Sequence, residues 1–195
     1  MFRLLLILVI VTLVATQQAC TNKKPTVAQT ADSSTAARPG PAVDYVPEPI
    51  TGRLANLGLT RDSHWRGINL GDDFGVVKAK EKGEAFESDA RHVGYTVEFA
   101  NLETADMLYY QTGGKVSVVE VDLFLNDRQS VSDHWKELEP YFTTRYGVPK
   151  SGARGLLWTG STGEQVSLKD VSKGKDFGLK IRIAPSDRAT TALAK

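Results

Sequence analysis

Six segments of this chain are predicted to be β-strands, the best-defined of them by alternating hydrophobic and polar residues. The clearest lies at 177–184, where small or charged residues separate four large hydrophobic ones, Phe177, Leu179, Ile181 and Ile183. Such alternation is typical of a strand with one buried face. The other predicted strands are 95–99, 107–111, 115–126, 155–159 and 164–170. Glycine-containing segments at 112–114 and 160–163 predict tight hairpin turns.

The longest predicted strand changes its hydrophobic parity partway along. Val116 and Val118 share one parity, whereas four later hydrophobic residues have the other: Val119, Val121, Leu123 and Leu125. Because successive side chains of a strand point to opposite faces, this change predicts a β-bulge between Val118 and Val119, or burial on both faces. Glu120 and Asp122 are then expected to point away from the core, alongside Phe124.

A short helix is predicted after Asp72 and Asp73, with Phe74 and Val77 on its apolar side. Either aspartate can cap its amino end, because a carboxylate there accepts bonds from free backbone N–H groups. The alternative role for this pair is metal binding or acid–base chemistry. Gly83 can end the helix.

A longer helix is predicted from Val131 to Tyr146. Its apolar positions recur at helical spacing and form one stripe, and His134 lies off that stripe. Ser130 can cap the amino end, and Pro140 predicts a kink because it removes an internal hydrogen bond. The stripe consists of Val131, Trp135, Leu138, Phe142 and Tyr146.

These elements predict a single α+β domain at residues 51–185. Their order is αβββαβββ, which suggests an antiparallel sheet with two helices packed on one face and a wetter opposite face. The two halves share this plan loosely, so a degenerate duplication is an open possibility. The polar, alanine-rich segment 186–195 is expected to be a disordered tail.

The amino-terminal residues have a different character from the domain. Arg3 precedes a nearly unbroken apolar run, Leu4 to Ala15, and the only cysteine of the chain, Cys20, follows Ala19. The run is shorter than the roughly 20 residues that span a bilayer, but it suits the hydrophobic region of a secretory signal. Residues 1–19 are therefore predicted to be a signal peptide.

The small residue before Cys20 makes this segment resemble a bacterial lipoprotein signal, in which the cysteine becomes the acylated amino terminus. The resemblance implies a palmitate-bearing lipoprotein at the cell envelope, on the periplasmic face of the outer membrane. Gln17 departs from the usual aliphatic residue. The alternatives are an ordinary signal peptide with a soluble periplasmic product, and a single amino-terminal membrane anchor. Acylation would also explain an unpaired cysteine in a secreted protein.

Residues 20–50 are predicted to be the lipidated cysteine and a flexible tether, since small, polar and proline residues bury little surface. Lys23 and Lys24 are placed either to touch anionic headgroups or only to keep the tether soluble. The formal net charge of +1 falls to zero without Arg3, so no net field attracts nucleic acid. A basic set could bind an anionic surface, but it lacks the interleaved aromatics of a nucleic-acid platform: Lys169, Lys173, Lys175, Lys180 and Arg182.

Motifs for catalysis, cofactors and metals are missing from the sequence. His64, His92 and His134 come from separate segments without zinc spacing, and there is no phosphate-binding loop, dinucleotide fingerprint or nucleophile elbow. Glu120 and Asp122 could act as a carboxylate pair in glycoside hydrolysis. The other interpretation is a solvated face on which they pair with Lys180 and Arg182.

The segment from Ile68 to Val77 resembles the opening of small outer-membrane assembly lipoproteins of the SmpA/OmlA type. That family packs helices on an antiparallel sheet, and the fold of the β-lactamase inhibitor protein shares the plan. The resemblance covers about ten residues, and Gly83 lacks the family's following proline. It implies an envelope-assembly role and no specific binding residue.

The leading expectation from the sequence is a non-enzymatic envelope lipoprotein that binds another protein or assists envelope assembly. Alternatives are a cell-wall or glycan-directed hydrolase using Glu120 and Asp122, and a periplasmic domain that binds a small ligand between helix and sheet. The expected partners are the membrane, through acylated Cys20, and an envelope protein.

Overall fold

The structure, a computed structural model, describes residues 49–152 and 155–186. The predicted signal peptide, Cys20, the tether up to residue 48 and the tail from residue 187 lie outside the described residues. They remain predictions from the sequence.

Eight antiparallel strands form one sheet in the order β1-β2-β3-β4-β8-β7-β6-β5. In each half of the domain, β1–β4 and β5–β8, four strands lie side by side in chain order. The two halves meet where their last strands, β4 and β8, pair with each other. The expected repetition of a plan is therefore visible in the topology. The strands are β1 Glu87–Ser88, β2 His92–Glu98, β3 Thr104–Thr112, β4 Lys115–Leu125, β5 Lys150–Gly152, β6 Gly155–Thr159, β7 Glu164–Asp170 and β8 Phe177–Pro185.

Three helices accompany the sheet: α1 Gly52–Asn56, α2 Gly75–Lys80 and α3 Arg128–Tyr146. The long helix α3 lies against β4, β6, β7 and β8, and α1 packs on α3. Leu138 and Phe142 on the predicted stripe are fully buried, and the ring of Phe142 lies 5.3 Å from that of Trp158 on β6, between ring centroids. The core therefore lies between α3 and one face of the sheet.

The α+β class and the antiparallel sheet are confirmed, but the order αβββαβββ is wrong. The observed order is ααββββαββββ, with one more helix and two more strands than predicted. The missed elements are α1, β1 and β5, which have five, two and three residues. Such short segments carry no readable periodicity, and β1 and β5 are exposed edge strands held by pairing with a neighbour.

The predicted parity change in β4 is confirmed, although the bulge lies slightly earlier than expected. Tyr110 pairs with Val118 and Gln111 with Val116, so Ser117 is the extra residue. Val116 and Val119 are consequently both buried. The hairpin turn before β4 is also confirmed: Gly113 and Gly114 both have positive φ, 59° and 77°, as a two-residue turn of this kind requires.

Both predicted helix caps are wrong. Phe74 precedes α2 and makes no side-chain cap bond. The carboxylate of Asp72 instead accepts a bond from the Asn69 amide at 2.8 Å, and Asp73 binds Lys115 Nζ at 2.7 Å. At α3 the cap is Asp127.

The helix α3 begins three residues before its predicted start, because Asp127 accepts the Ser130 amide at 2.7 Å. Ser130 therefore lies within the first turn. His134 was expected off the apolar stripe but is only 4% exposed. Its Nδ1 lies 3.0 Å from the Ser130 carbonyl oxygen, and this contact satisfies a polar atom within the packed interface.

Candidate binding face of the sheet

The sheet has one face packed against the core and one that the helices leave uncovered, which we call the open face. The register assigns its positions. The open face carries the even-numbered residues of β2, β3, β5 and β8 and the even-numbered residues of β4 from 118 to 124. On β1, β6 and β7 it carries the odd-numbered residues. The core face carries residues such as Met107, Val121 and Ile181, which are at most 1% exposed.

Charge divides the open face into two halves. Apart from Lys115 at the first position of β4, which pairs with Asp73, every charged Asp, Glu, Lys or Arg position of this face on β1–β4 is a carboxylate, and every one on β5–β8 is a cation. The acidic half carries Glu87, Glu98, Asp106, Glu120 and Asp122. The basic half carries Lys150, Lys169, Lys180 and Arg182. Opposite charges on neighbouring strands attract, so the boundary between the halves is held together electrostatically.

Ion pairs cross this boundary between β4 and β8. Lys180 Nζ lies 3.1 Å from Asp122 Oδ2 and 3.6 Å from Glu120 Oε2, and Arg182 Nε donates to Glu120 Oε1 at 3.0 Å. Partial burial lowers the pKa of Lys180, but the hydrogen bond and charge of Asp122, with the charge of Glu120, outweigh that effect and leave the pKa raised.

The predicted pairing of Glu120 and Asp122 with Lys180 and Arg182 is confirmed by these contacts. Both carboxylates are engaged by cations, and Phe124 shares their face as expected. A hydrolase would need one carboxylate to deliver a proton and the other to attack or activate water. No contact in the described part of the chain distinguishes the two in that way.

Exposed hydrophobic side chains lie on the same face. Phe124 is 53% exposed and stands beside Gly178 of β8; on the other side of that glycine, Val171 is 48% exposed. A side chain at Gly178 would approach the Leu123 carbonyl to 2.6 Å, so the gap between the two hydrophobic residues is fixed. Phe124 follows two acidic residues, Glu120 and Asp122, on the same face of β4, so a hydrophobic residue on this polar face could be recognised in the sequence.

A pocket of about 650 Å³ opens on the basic half. Lys150, Lys169 and Arg182 line it, together with Ser167 and the apolar side chain of Leu157. Of the basic set named from the sequence, Lys169, Lys180 and Arg182 lie on the open face, whereas Lys173 and Lys175 lie in the β7–β8 connection. Lys150 was missed, since the three-residue strand that places it has no hydrophobic pattern.

The three histidines lie in different environments. His64 Nδ1 lies 2.9 Å from Asn69 Oδ1, and burial lowers its pKa. His92 is on the open face, where Nε2 lies 2.8 Å from Glu87 Oε1. His134 is a buried residue of α3. Within residues 49–152 and 155–186, no group of three or more His, Cys, Asp or Glu side chains could hold a metal ion.

Comparison with protein-family models, with curated proteins and with solved structures finds no match for this chain. The lipoprotein signal and the SmpA/OmlA-like segment therefore remain resemblances seen in the sequence. Among the described residues, no helix has the length and apolar character needed to cross a bilayer.

Proposed function

We propose that this protein is a non-enzymatic envelope lipoprotein that binds a partner protein through the open face of its sheet. Acylated Cys20 would hold it at the periplasmic face of the outer membrane, and residues 20–50 would give the domain reach. The anchor rests on the sequence of the first 20 residues. The binding role rests on the open face.

The observation that carries the binding role is the exposure of Phe124 at the boundary between the two charged halves. A large exposed aromatic side chain is the kind of residue that dominates binding energy in protein interfaces. Phe124 and Val171 flank Gly178 and are each about half exposed. Isolated exposed hydrophobics are common, but this pair stands on one uncovered sheet face beside ion pairs.

Charge specifies the kind of partner that fits. The acidic half presents Glu98, which is exposed, and Asp106, which accepts a bond from Thr96 Oγ1 at 2.6 Å. A partner therefore places cations over β2–β4 and an apolar group over Phe124. Complementary charge of this kind accelerates association and suppresses wrong partners.

Site-specific photocrosslinking in intact cells tests the binding role. A photoreactive phenylalanine analogue at position 124 should give one discrete adduct. The same analogue at Val148, which is 91% exposed in the connection after α3, serves as the matched control and should give none. Glu98→Lys should weaken the adduct at position 124, whereas Asp62→Lys, in an exposed loop before α2, should leave it unchanged.

Other outcomes would contradict the binding role. Equal adducts at positions 124 and 148 would mean that the open face is not selective. An adduct containing only two copies of this chain would replace a partner protein by self-association. The anchor is tested separately by incorporation of labelled palmitate, which Cys20→Ser should abolish; a chain without label would remove the lipoprotein assignment while leaving the crosslinking result intact.

A further inference from the structure

The geometry points to the pocket on the basic half of the open face as a binding site for a phosphate-bearing ligand. This site goes beyond the proposed partner binding and does not depend on it. The pocket brings three cations from three strands, β5, β7 and β8, around one cavity of about 650 Å³. None of its described lining residues is acidic.

The register explains why these cations converge. Lys150 stands opposite Leu157, Leu157 opposite Ser167, and Ser167 opposite Arg182, so one row crosses four strands of the open face. Lys169 follows Ser167 by two residues and points to the same face. Cross-strand neighbours lie about 5 Å apart, and long lysine side chains at both sides of the row reach a common ligand.

Gly152 leaves one side of the pocket open. An added Cβ there would meet only the Gly155 carbonyl oxygen, at 3.7 Å. At Gly155, by contrast, an added Cβ would approach the Leu168 carbonyl oxygen to 2.3 Å and Lys169 Cγ to 2.9 Å, so β7 already fills that space. The missing side chain at Gly152 makes room for a ligand beside the exposed lysines.

The donors that remain are suited to an oxyanion. Arg182 uses Nε for Glu120, and its two terminal nitrogens have no bond to another described residue. Lys150 and Lys169 likewise have no ion-pair partner within the part of the chain that the structure describes. The Arg182 guanidinium, which the Glu120 carboxylate holds in place, and the two lysine ammonium groups are charged donors for phosphate oxygens. The hydroxyl of Ser167 adds a neutral donor.

The size of the pocket indicates that the ligand is larger than a phosphate ion. Small-molecule sites commonly measure about 300–1,000 Å³ and combine apolar walls with a few polar groups. Leu157 supplies such an apolar surface between the cations. A phosphate group with an attached polyol or lipid portion, either as a free metabolite or as a membrane headgroup, has the chemistry that fits.

Isothermal titration of the full chain in an uncharged detergent tests the site with three probes. These are inorganic phosphate, glycerol 1-phosphate and short-chain phosphatidylglycerol. We expect glycerol 1-phosphate or phosphatidylglycerol to bind more tightly than inorganic phosphate, and added salt to weaken binding. Preference for glycerol 1-phosphate indicates a free ligand, and preference for phosphatidylglycerol indicates a headgroup.

Variants connect any binding to the pocket. The double variant Lys150→Gln, Lys169→Gln should weaken binding by about tenfold or more, because two charge-assisted contacts are lost. Gly152→Glu should abolish it by placing a carboxylate in space that the structure leaves open. Lys175→Gln removes an exposed lysine of the β7–β8 connection and should change nothing. Thermal unfolding of each variant shows that the fold is kept.

Three results would overturn the site. They are no binding of any phosphate probe, binding that the pocket variants leave unchanged, and equally tight binding of acetate, which is titrated as a control anion without phosphorus. These binding measurements are independent of the crosslinking experiment at position 124. The phosphate site can therefore be disproved while partner binding holds, and partner binding can be disproved while the phosphate site holds.

Discussion

Replacing Glu81 by alanine should destabilise the domain more than any other single loss of charge among its described ion pairs. The Glu81 side chain is 1% exposed and accepts Arg66 Nε through both carboxylate oxygens, at 3.0 and 3.1 Å. The hydroxyl of Tyr109, on the core face of β3, donates to the same carboxylate. The network therefore joins the segment after α2 to the sheet.

The expected loss follows from this burial. Removing one partner of a buried pair leaves the other charge uncompensated, which typically costs about 3–5 kcal/mol. For a folded part of about 136 residues, an unfolding entropy of roughly 2.1 cal/mol/K per residue converts this cost to a decrease in Tm of about 10–18 °C. Burial raises the pKa of Tyr109, and the charge and hydrogen bond of Glu81 raise it further. The phenol therefore stays protonated, and its donated bond persists, at neutral pH.

Thermal and urea unfolding of three variants test this reasoning. Glu81→Ala should show the full loss. Tyr109→Phe should lose about 1–2 kcal/mol, because the carboxylate keeps Arg66. Glu120→Ala serves as the control, because the Glu120 side chain is 22% exposed on the open face, and its loss should cost about 1 kcal/mol or less. If Glu81→Ala and Glu120→Ala lowered the free energy of unfolding equally, the buried network would not stabilise the fold as argued.

Further predictions concern acid stability, turn geometry and catalysis. Burial raises the pKa of Glu103, but hydrogen bonds from Ser130 and neighbouring groups lower it overall. The ionised Glu103 therefore stabilises the fold above its unfolded pKa, and this stabilisation is lost as the pH falls through its folded pKa. Glu103→Gln should reduce the fall in the urea midpoint that the natural chain shows at acid pH. Gly113→Ala should cost about 1 kcal/mol because φ is +59°, whereas Gly113→Asn should cost less in the same unfolding assay. A peptidoglycan zymogram should show no clearing band; a band that disappears in the Glu120→Gln, Asp122→Asn double variant would instead establish the hydrolase alternative.

The strands could be predicted from the sequence wherever one face is buried and the other is wet. In β8 and in the second part of β4, the pattern of period two was sufficient, and it also revealed that a residue had been inserted in β4. The edge strands β1 and β5 could not be predicted in this way, because strands of two and three residues bury no hydrophobic row.

The candidate site could be predicted only in part. A shared face for Glu120, Asp122, Lys180 and Arg182 followed from parity, since two amphipathic strands in one sheet face their polar residues the same way. Their pairing also requires β4 and β8 to be neighbours. The separation into an acidic and a basic half depends on strand order, which parity does not specify. The phosphate pocket also depends on β5, the strand that brings Lys150 into the row.

Hydroxyl-radical footprinting of the chain in intact envelopes shows whether a partner covers the open face. Oxidation is compared with that of the purified chain at Phe124 on the open face and at Trp135 on α3. If a partner covers the open face, Phe124 is protected in envelopes while Trp135 is oxidised equally in both samples. Equal oxidation of Phe124 in both samples, or protection at Trp135 alone, would contradict partner binding at this face.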